Sequence, residues 1–361
     1  MNVFDLLMDL HKNRGAALEP IGERFQALRY GSRLEPEINR ILHGCGLLDL
    51  QIRPLIGVTG PEASRFLHGL FTNDINGLPS GHWQPNLFCG NKGKIKHRME
   101  VLKLDAERLV VCCEPEEGIA VGTLLDHYLV REDVTLALLS REQIRIDLFG
   151  VKSTRPLHRL GIPGQAFTGS SGEFAFHAAP VPWGTQARWG CLVPIAVATE
   201  WIASTLDSDP ECDLVGSEAV ETVRIAEGLP RPGVDFGPDN FPQEVALGDH
   251  ISYTKGCYIG QESHARMFHR GHPNWQLIGL RLPETAEASA DAPLFHNGNE
   301  VGCLTSVSSV AQQDKRPALG WVRHAIAEAQ NPVTLESGQA ELMPVPLPNT
   351  IRRTVQEAKP A

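Results

Sequence analysis

The sequence predicts a loop-rich α+β protein of several domains, and three observations support this prediction. The chain has 361 residues, which at about 150 residues per domain indicates two or three domains. Hydrophobic residues make up 42% and charged residues 21%, as in an ordinary globular protein with a large core. The 34 glycines and 26 prolines predict many turns between short helices and strands.

The charge balance and the N-terminus limit the classes of partner. Acidic residues outnumber basic ones 43 to 33, for a net charge of −10 with histidine neutral. This disfavours general binding to nucleic acid or to anionic membranes. Asp5 and Asp9 interrupt the first apolar stretch, which no basic residue precedes, so we expect no signal peptide. No run approaches the roughly 18 uninterrupted apolar residues of a membrane-spanning helix. The eight cysteines include no CxxC pair. We expect most of them to be buried thiols of a cytoplasmic protein.

The first half of the chain alternates predicted strands and helices. Leu6, Leu7 and Leu10 begin an amphipathic helix, and 46–50 is a strand. Residues 54–75 predict a strand, a turn and a helix, with Thr72-Asn73-Asp74 directly after the helix. Further elements are a hairpin turn at Asn91-Lys92-Gly93, strands over 99–104, 109–113, 134–140 and 144–150, and a helix over 117–130.

The second half predicts loops, one clear helix and a terminal β region. Residues 151–190 favour loops with short strands, and 217–230 favour a helix that ends at Gly228. The segment 231–244 is dense in Pro and Gly yet contains Phe236 and Phe241, which is typical of a functional loop. After a linker at 282–293, a hairpin turn at 296–299 and several short strands predict a small β-barrel.

The segment 253–275 carries the densest chemical signal. Gly256 and Gly260 bracket Cys257, so the backbone can turn tightly and approach a ligand closely. Lys255 favours the nucleophilic thiolate form of a nearby cysteine. The alternative is a buried structural cysteine between two turn glycines.

Basic residues in and just after this segment form a stripe suited to carboxylates or phosphates; they are Lys255, Arg266, Arg270 and Arg281, opposed by Glu262. The alternative is a solvated pair of polar strands. His264, His269 and His272 have no recognised metal-ligand spacing, so we expect no metal site.

Asp74 is the second candidate, as a general base or as an electrostatic partner of an amine; the alternative is a turn aspartate. The sequence contains no GxGxxG after a strand, no GxxxxGK[ST] and no GxSxG. Their absence disfavours dinucleotide-binding, P-loop and α/β-hydrolase chemistry.

The octapeptide KGCYIGQE, residues 255–262, closely resembles the signature of the YgfZ-type folate-binding proteins. These are relatives of the aminomethyltransferase (T-protein) of the glycine cleavage system and include mitochondrial iron–sulfur assembly factors. Four further segments resemble the family in the same order, namely 30–50, 58–75, 224–244 and 301–322.

The resemblance implies a three-domain, ring-like T-protein fold, in which two α/β domains surround a central channel for tetrahydrofolate and a small C-terminal β-barrel follows. We expect a discontinuous first α+β domain over 1–54 and 147–245 and a ferredoxin-like second domain over 55–146. The signature segment then covers 246–280 and the barrel 281–361. Tetrahydrofolate, or a one-carbon-loaded folate, is the implied cofactor.

The resemblance also implies the site residues. Asp74 and Cys257 are the candidate catalytic residues. The candidate folate-binding residues are Asn73, Asp74, Asn91, Glu227, Lys255, Gly256, Tyr258, Gln261, Glu262, Arg266 and Arg270.

Three departures weaken the likeness to the transferase. Ala226 occupies the position of its pterin-anchoring glutamate, with Glu227 one residue later. Lys96-His97-Arg98 stands where many transferases have Asp-Asp, and Trp275 replaces a frequent arginine.

We therefore expect a monomeric tetrahydrofolate-binding protein that supports assembly or repair of iron–sulfur enzymes, including those that thiolate tRNA. Iron–sulfur enzymes or assembly proteins are its candidate partners, and we expect no direct contact with nucleic acid or membranes. The alternatives are a folate-dependent aminomethyltransferase and a binding scaffold that takes no folate.

Overall fold

The computed structural model describes residues 3–161, 167–171, 174–312, 314–335, 341–342 and 344–345. By the density of its internal contacts the chain forms two compact units. Unit 1 comprises Met1–Asn86 and His97–Val220, and unit 2 comprises Leu87–Lys96 and Glu221–Ala361. The domain boundaries expected from the sequence stay predictions.

Unit 1 contains most of the helices and three sheets. Its helices are α1 (Val3–Asn13), α2 (Glu35–His43), α3 (Ala63–Leu70), α4 (Gly118–Tyr128), α5 (Thr154–Arg159), α6 (Ala198–Ser208) and the start of α7 (Ser217–Ala226). Its strands are β1 (Ala16–Ile21), β2 (Arg24–Tyr30), β3 (Cys45–Asp49), β4 (Leu55–Thr59), β5 (His82–Cys89), β6 (Ile95–Lys103), β7 (Arg108–Cys113), β8 (Thr135–Leu138), β9 (Gln143–Phe149), β10 (Phe167–Ser171), β11 (Phe174–Pro180), β12 (Arg188–Pro194) and β13 (Cys212–Leu214).

Two of these sheets pack against each other within unit 1. The six-stranded sheet has the order β10-β11-β12-β9-β3-β13, and the five-stranded sheet has the order β5-β6-β7-β4-β8; β1 and β2 form a separate pair. Trp83 and Leu102 of the five-stranded sheet share a buried cluster with Ala179 and Leu192 of the six-stranded sheet. A second cluster packs the fully buried Trp201 of α6 against the six-stranded sheet.

A buried ion cluster joins the same two sheets. Arg145 bridges Glu100 at 2.6 Å and Asp147 at 2.8 Å, and Arg188 contacts both carboxylates at 2.9 Å and 2.5 Å. Burial alone would raise the pKa of the Glu100 carboxyl, but Arg145 and Arg188 hold that pKa well below its ordinary range. Two positive and two negative charges therefore balance inside the unit, which makes their burial tolerable.

Unit 2 is built on a curled half-barrel sheet at the C-terminus. It contains the rest of α7, with α8 (Gln261–Arg270) and α9 (His324–Glu328). Its strands are β14 (Trp275–Pro283), β15 (Pro293–His296), β16 (Asn299–Val307), β17 (Lys315–Arg323), β18 (Val333–Leu335), β19 (Glu341–Leu342) and β20 (Pro344–Val345), in the order β19-β18-β15-β16-β17-β14-β20. The tip of the β5–β6 hairpin, residues 87–96, also belongs to this unit.

Asp235 is the polar centre of unit 2. Its carboxylate is fully buried. Oδ2 accepts hydrogen bonds from Arg224 (2.6 Å) and from the backbone N–H of Arg231 (2.9 Å), and Oδ1 accepts from Thr305 (2.6 Å) and Ser306 (2.7 Å). This one side chain thus ties the end of α7, the following loop and strand β16 together.

The structure confirms the predicted α+β class and most local elements. The strand, turn and helix of 54–75 are β4 and α3, with Phe66, Leu67 and Leu70 buried. Asn297 and Gly298 both have positive φ in the β15–β16 turn, as the hairpin signal requires. The predicted terminal barrel takes the form of the curled half-barrel.

Of the eight cysteines, six are buried, as expected. None of the helices within the described ranges combines the length and apolar character needed to cross a membrane.

Replacing Asp235 by asparagine should lower the free energy of unfolding by about 3 kcal/mol, because Arg224 would lose a buried charged partner. Chemical denaturation of the full chain measures this. The matched control is Asp239→Asn, whose carboxylate is 90% exposed and pairs with Lys94 at the surface, so its effect should stay within about 1 kcal/mol. Equal effects of the two substitutions would contradict a central role for Asp235.

Candidate functional site

The octapeptide segment forms an exposed turn that leads into a helix. Gly260 has φ +86° and directly precedes α8, a conformation that glycine adopts without steric cost. Gly256 and Cys257 are exposed before it. The interpretation of Cys257 as a buried structural cysteine is therefore wrong, and so is the interpretation of this region as a pair of strands.

The start of α8 contacts the tip of the β5–β6 hairpin within unit 2. A Cβ atom on Gly260 would lie 2.7 Å from the carbonyl oxygen of Gly90, and one on Gly93 would lie 2.7 Å from Cβ of Ser263. Because Gly93 also has φ +79°, both positions require glycine. Two glycines thus allow the turn that carries Asn91 to contact the octapeptide segment directly.

His264 stabilises the contact between α8 and the hairpin tip by hydrogen bonds. Its side chain is fully buried, with Nε2 2.7 Å from the carbonyl oxygen of Gly93 and Nδ1 3.1 Å from the hydroxyl of Tyr258. A carbonyl can only accept, so Nε2 carries the proton and Nδ1 accepts from the tyrosine in the neutral form. Burial lowers the pKa of His264, although the bond to Gly93 opposes this.

Tyr258 and Lys255 complete the underside of the exposed turn. Tyr258 is 8% exposed, and burial raises the pKa of its phenol, which stays protonated. The ammonium of Lys255 lies 4.9 Å from the centre of the Tyr258 ring. Gln261 reaches back with Nε2 3.5 Å from the Lys255 carbonyl oxygen. The backbone around Cys257 is therefore held in place by contacts among Lys255, Tyr258 and Gln261.

The predicted basic stripe is only partly available to a ligand. Arg266 is paired with Glu262 at 2.8 Å across one helical turn, and both side chains are largely exposed. Such a pair stabilises a helix by only about 0.3–0.5 kcal/mol, so a ligand carboxylate can displace Glu262. Arg281 is exposed on β14. The side chains of Arg270 and His269 lie outside the described residues.

The hairpin tip is held from its other side by the loop after α7. The Ile95 N–H donates to the Asn240 carbonyl at 2.9 Å, and Lys94 pairs with Asp239 at 3.2 Å. Asn91 itself is exposed at the turn. The loop over 231–244, which the sequence predicted to be functional, therefore helps to position Asn91, a predicted folate-binding residue.

In unit 1, Asn73 and Asp74 form a hydrogen-bonded turn a few residues after the end of α3 at Leu70. Asn73 donates through Nδ2 to the Pro85 carbonyl at 2.9 Å. Asp74 Oδ1 accepts the Gly77 N–H at 2.9 Å and lies 3.3 Å from Nδ1 of His68. The Asp74 side chain is nevertheless 43% exposed. It is thus a turn aspartate, as the alternative expected, whose carboxylate can also accept donors from a ligand.

Glu227 follows the last residue of α7 and is half-buried, whereas Ala226 is exposed. The helix continues through a Glu227 N–H bond to the Val223 carbonyl at 2.9 Å. Since one residue of helix rotates a side chain by roughly 100°, Glu227 and Ala226 point in different directions. The role of Glu227 in binding stays a prediction.

No group of His, Cys, Asp and Glu side chains within the described ranges is arranged to hold a metal ion. The sequence pattern indicated Cys257 and its neighbours as candidate site residues. It did not indicate that His264 and Gly93 hold this segment against the hairpin tip. The available signal was the Gly90-x-x-Gly93 turn, whose second glycine carries no side chain that would keep α8 away.

Comparison with known proteins identifies the fold. Residues 7–176 match the family model described as the GCVT N-terminal domain. The chain is 23% identical over 336 residues to an aminomethyltransferase of Desulfitobacterium hafniense, covering 88% of each protein. It is 25% identical over 346 residues to an aminomethyltransferase of Symbiobacterium thermophilum, again covering 88% of each.

Among solved structures, the chain is similar to the glycine cleavage system aminomethyltransferase T of Bartonella henselae. The TM-score is 0.83 at 23% identity, with 95% of this chain and 96% of that chain covered. The predicted multi-domain T-protein fold is thereby confirmed.

His264→Asn should reduce the stability of the chain by about 1–3 kcal/mol at pH 7, because the Gly93 carbonyl and the Tyr258 hydroxyl lose a buried partner. The lowered pKa of His264 makes its contribution complete above the unfolded value of about 6.5; it is lost as the pH falls through the folded value. Thermal unfolding at pH 7 and pH 5, with NMR titration of the imidazole, measures both effects. The matched control is His272→Asn, at an exposed histidine; an equal loss at pH 7 in this control would contradict the locking role.

Proposed function

We propose that this protein binds tetrahydrofolate. The observation that carries the proposal is the T-protein fold over 95% of the chain, together with relatives named aminomethyltransferase. The resemblance of KGCYIGQE to the folate-binding YgfZ-type signature supports the same ligand.

Each unit, taken by itself, offers candidate residues that suit a part of a folate, namely Asp74 in unit 1 and Gly256 and Arg266 in unit 2. A carboxylate such as Asp74 can accept hydrogen bonds from the guanidine-like edge of a pterin. The backbone at Gly256 is open, since a Cβ atom there would meet nothing within 4 Å, so a flat ring can approach it closely. Arg266 offers a guanidinium to the glutamate tail.

Within this class we propose a YgfZ-type role, namely support of the assembly or repair of iron–sulfur enzymes, including those that thiolate tRNA. Two observations favour it over one-carbon transfer. Ala226 stands exposed where the transferase has a pterin-anchoring glutamate, and Cys257 is an exposed thiol on a turn braced from beneath. The client enzymes or assembly proteins would then be partners of the chain.

The second candidate function is aminomethyl transfer to tetrahydrofolate. It is favoured by the relatives that are named aminomethyltransferase and by the partly exposed carboxylate of Asp74, which could serve as a base or stabilise an amine.

Titration calorimetry with tetrahydrofolate under reducing conditions should show binding by the wild-type chain. Asp74→Asn keeps an oxygen for the Gly77 N–H but removes the charge, so the affinity should fall about 10-fold or more. The matched control is Asp126→Asn, an exposed position on α4, which should bind as the wild type does. Absence of binding by the wild type would refute the folate proposal, and equal affinity of Asp74→Asn would remove Asp74 from the site.

Cys257→Ala should depress the activity of iron–sulfur enzymes in cells that depend on this protein, while its unfolding midpoint stays within a few degrees of wild type, because the residue is exposed. The wild-type protein, given an aminomethylated carrier protein and tetrahydrofolate, should form no methylene-tetrahydrofolate. Full iron–sulfur enzyme activity in the Cys257 variant would contradict the YgfZ-type role. Formation of methylene-tetrahydrofolate would instead establish the transferase alternative.

A further inference from the structure

Two buried cysteines of unit 1 face each other on neighbouring strands of the six-stranded sheet. Strands β3 and β13 are parallel, and Cys45 is directly opposite Cys212. The thiol of Cys45 donates a hydrogen bond to the sulfur of Cys212 over 3.2 Å. Neither residue belongs to the candidate functional site.

The backbone geometry of this pair suits a covalent bond. Neighbouring strands lie about 4.8 Å apart, within the Cα separation of roughly 4.4–6.8 Å that disulfides span. Both side chains enter the same buried cluster, with exposed fractions of 0% and 5%. The two sulfur atoms thus already point at each other, and bond formation needs only a small approach.

We propose that Cys45 and Cys212 form an intramolecular disulfide when the protein meets a small organic disulfide such as oxidised glutathione. The thiolate of Cys212 attacks one sulfur of that disulfide and releases one small thiolate. The thiolate of Cys45 then attacks the sulfur of Cys212 and releases the second. The protein loses two electrons and two protons, and the small disulfide is reduced to two thiols.

Cys212 lies on an edge strand, which gives a small disulfide a route to the buried Cys45–Cys212 pair. β13 has three residues, Cys212–Leu214, and is the terminal strand of its sheet, so it opens more readily than the central β3. The closed state protects the thiols, because the mutual hydrogen bond and burial raise the pKa of Cys45. Oxidation is therefore governed by local opening of β13 and proceeds slowly under native conditions.

The disulfide would have a distinct effect on stability. It would join residues 167 positions apart along the chain, and closing a loop of that length restricts the unfolded chain strongly. It would also fix β13, which leads into α7. We expect the thermal midpoint to rise by roughly 5–10 °C on oxidation.

The test uses the full chain with the two solvent-reaching cysteines replaced, Cys257→Ser and Cys303→Ser. Incubation with oxidised glutathione under native conditions should remove two hydrogen masses, yield a peptide that links Cys45 to Cys212, and raise the thermal midpoint. A reducing agent should reverse all three changes. Hydrogen exchange at 212–214 should slow in the oxidised form.

Three added variants make the result decisive. Cys212→Ala and Cys45→Ala should each abolish the mass loss, whereas Cys191→Ala, which removes a third thiol of the same cluster, should leave it intact. The proposal is overturned if no linked peptide forms after β13 has opened, as judged by hydrogen exchange at Cys212. It is equally overturned if the bond joins Cys191, or if either Cys45→Ala or Cys212→Ala still loses two hydrogens.

Discussion

The buried carboxylate of Asp235 is the contact on which unit 2 depends. It receives four hydrogen bonds, from Arg224, the backbone of Arg231, Thr305 and Ser306, so each carboxylate oxygen accepts from two protein donors. A buried carboxylate with one partner missing would be costly. The loop after α7, which has little regular structure of its own, therefore keeps one conformation.

The loop after α7 also positions the part of the candidate site that lies in unit 2. The Asn240 carbonyl holds the hairpin tip through the Ile95 N–H, and the tip in turn contacts His264 through the Gly93 carbonyl. His264 then fixes Tyr258, beneath the exposed turn of Cys257. The contacts of the hairpin tip join residues far apart in sequence, whereas Tyr258 and His264 are six residues apart; the backbone beneath Cys257 is therefore held from outside its own segment.

Local elements were predictable where aliphatic side chains carry the pattern. The strand and helix of 54–75 and the end of α7 appear where the periodicity and the glycines placed them. Helix α8 was not predicted, because the buried residue among its described side chains is a histidine, His264, and most residues of the helix are polar. Hydrophobic periodicity indicates a buried helix face only when the buried side chains are apolar. A buried histidine with two hydrogen bonds does not contribute to that pattern.

The sequence by itself determined the α+β class, the turn glycines and the likeness of the octapeptide segment to a folate-binding family. Those features rest on local backbone preference and on residue identity. Only the tertiary structure decided that Cys257 is exposed, that Gly93 and Gly260 form one contact, and that Cys45 lies opposite Cys212. The two contacts join residues far apart along the chain, and the exposure of Cys257 depends on which segments pack around it. They are set by strand register and close packing, which no local pattern encodes.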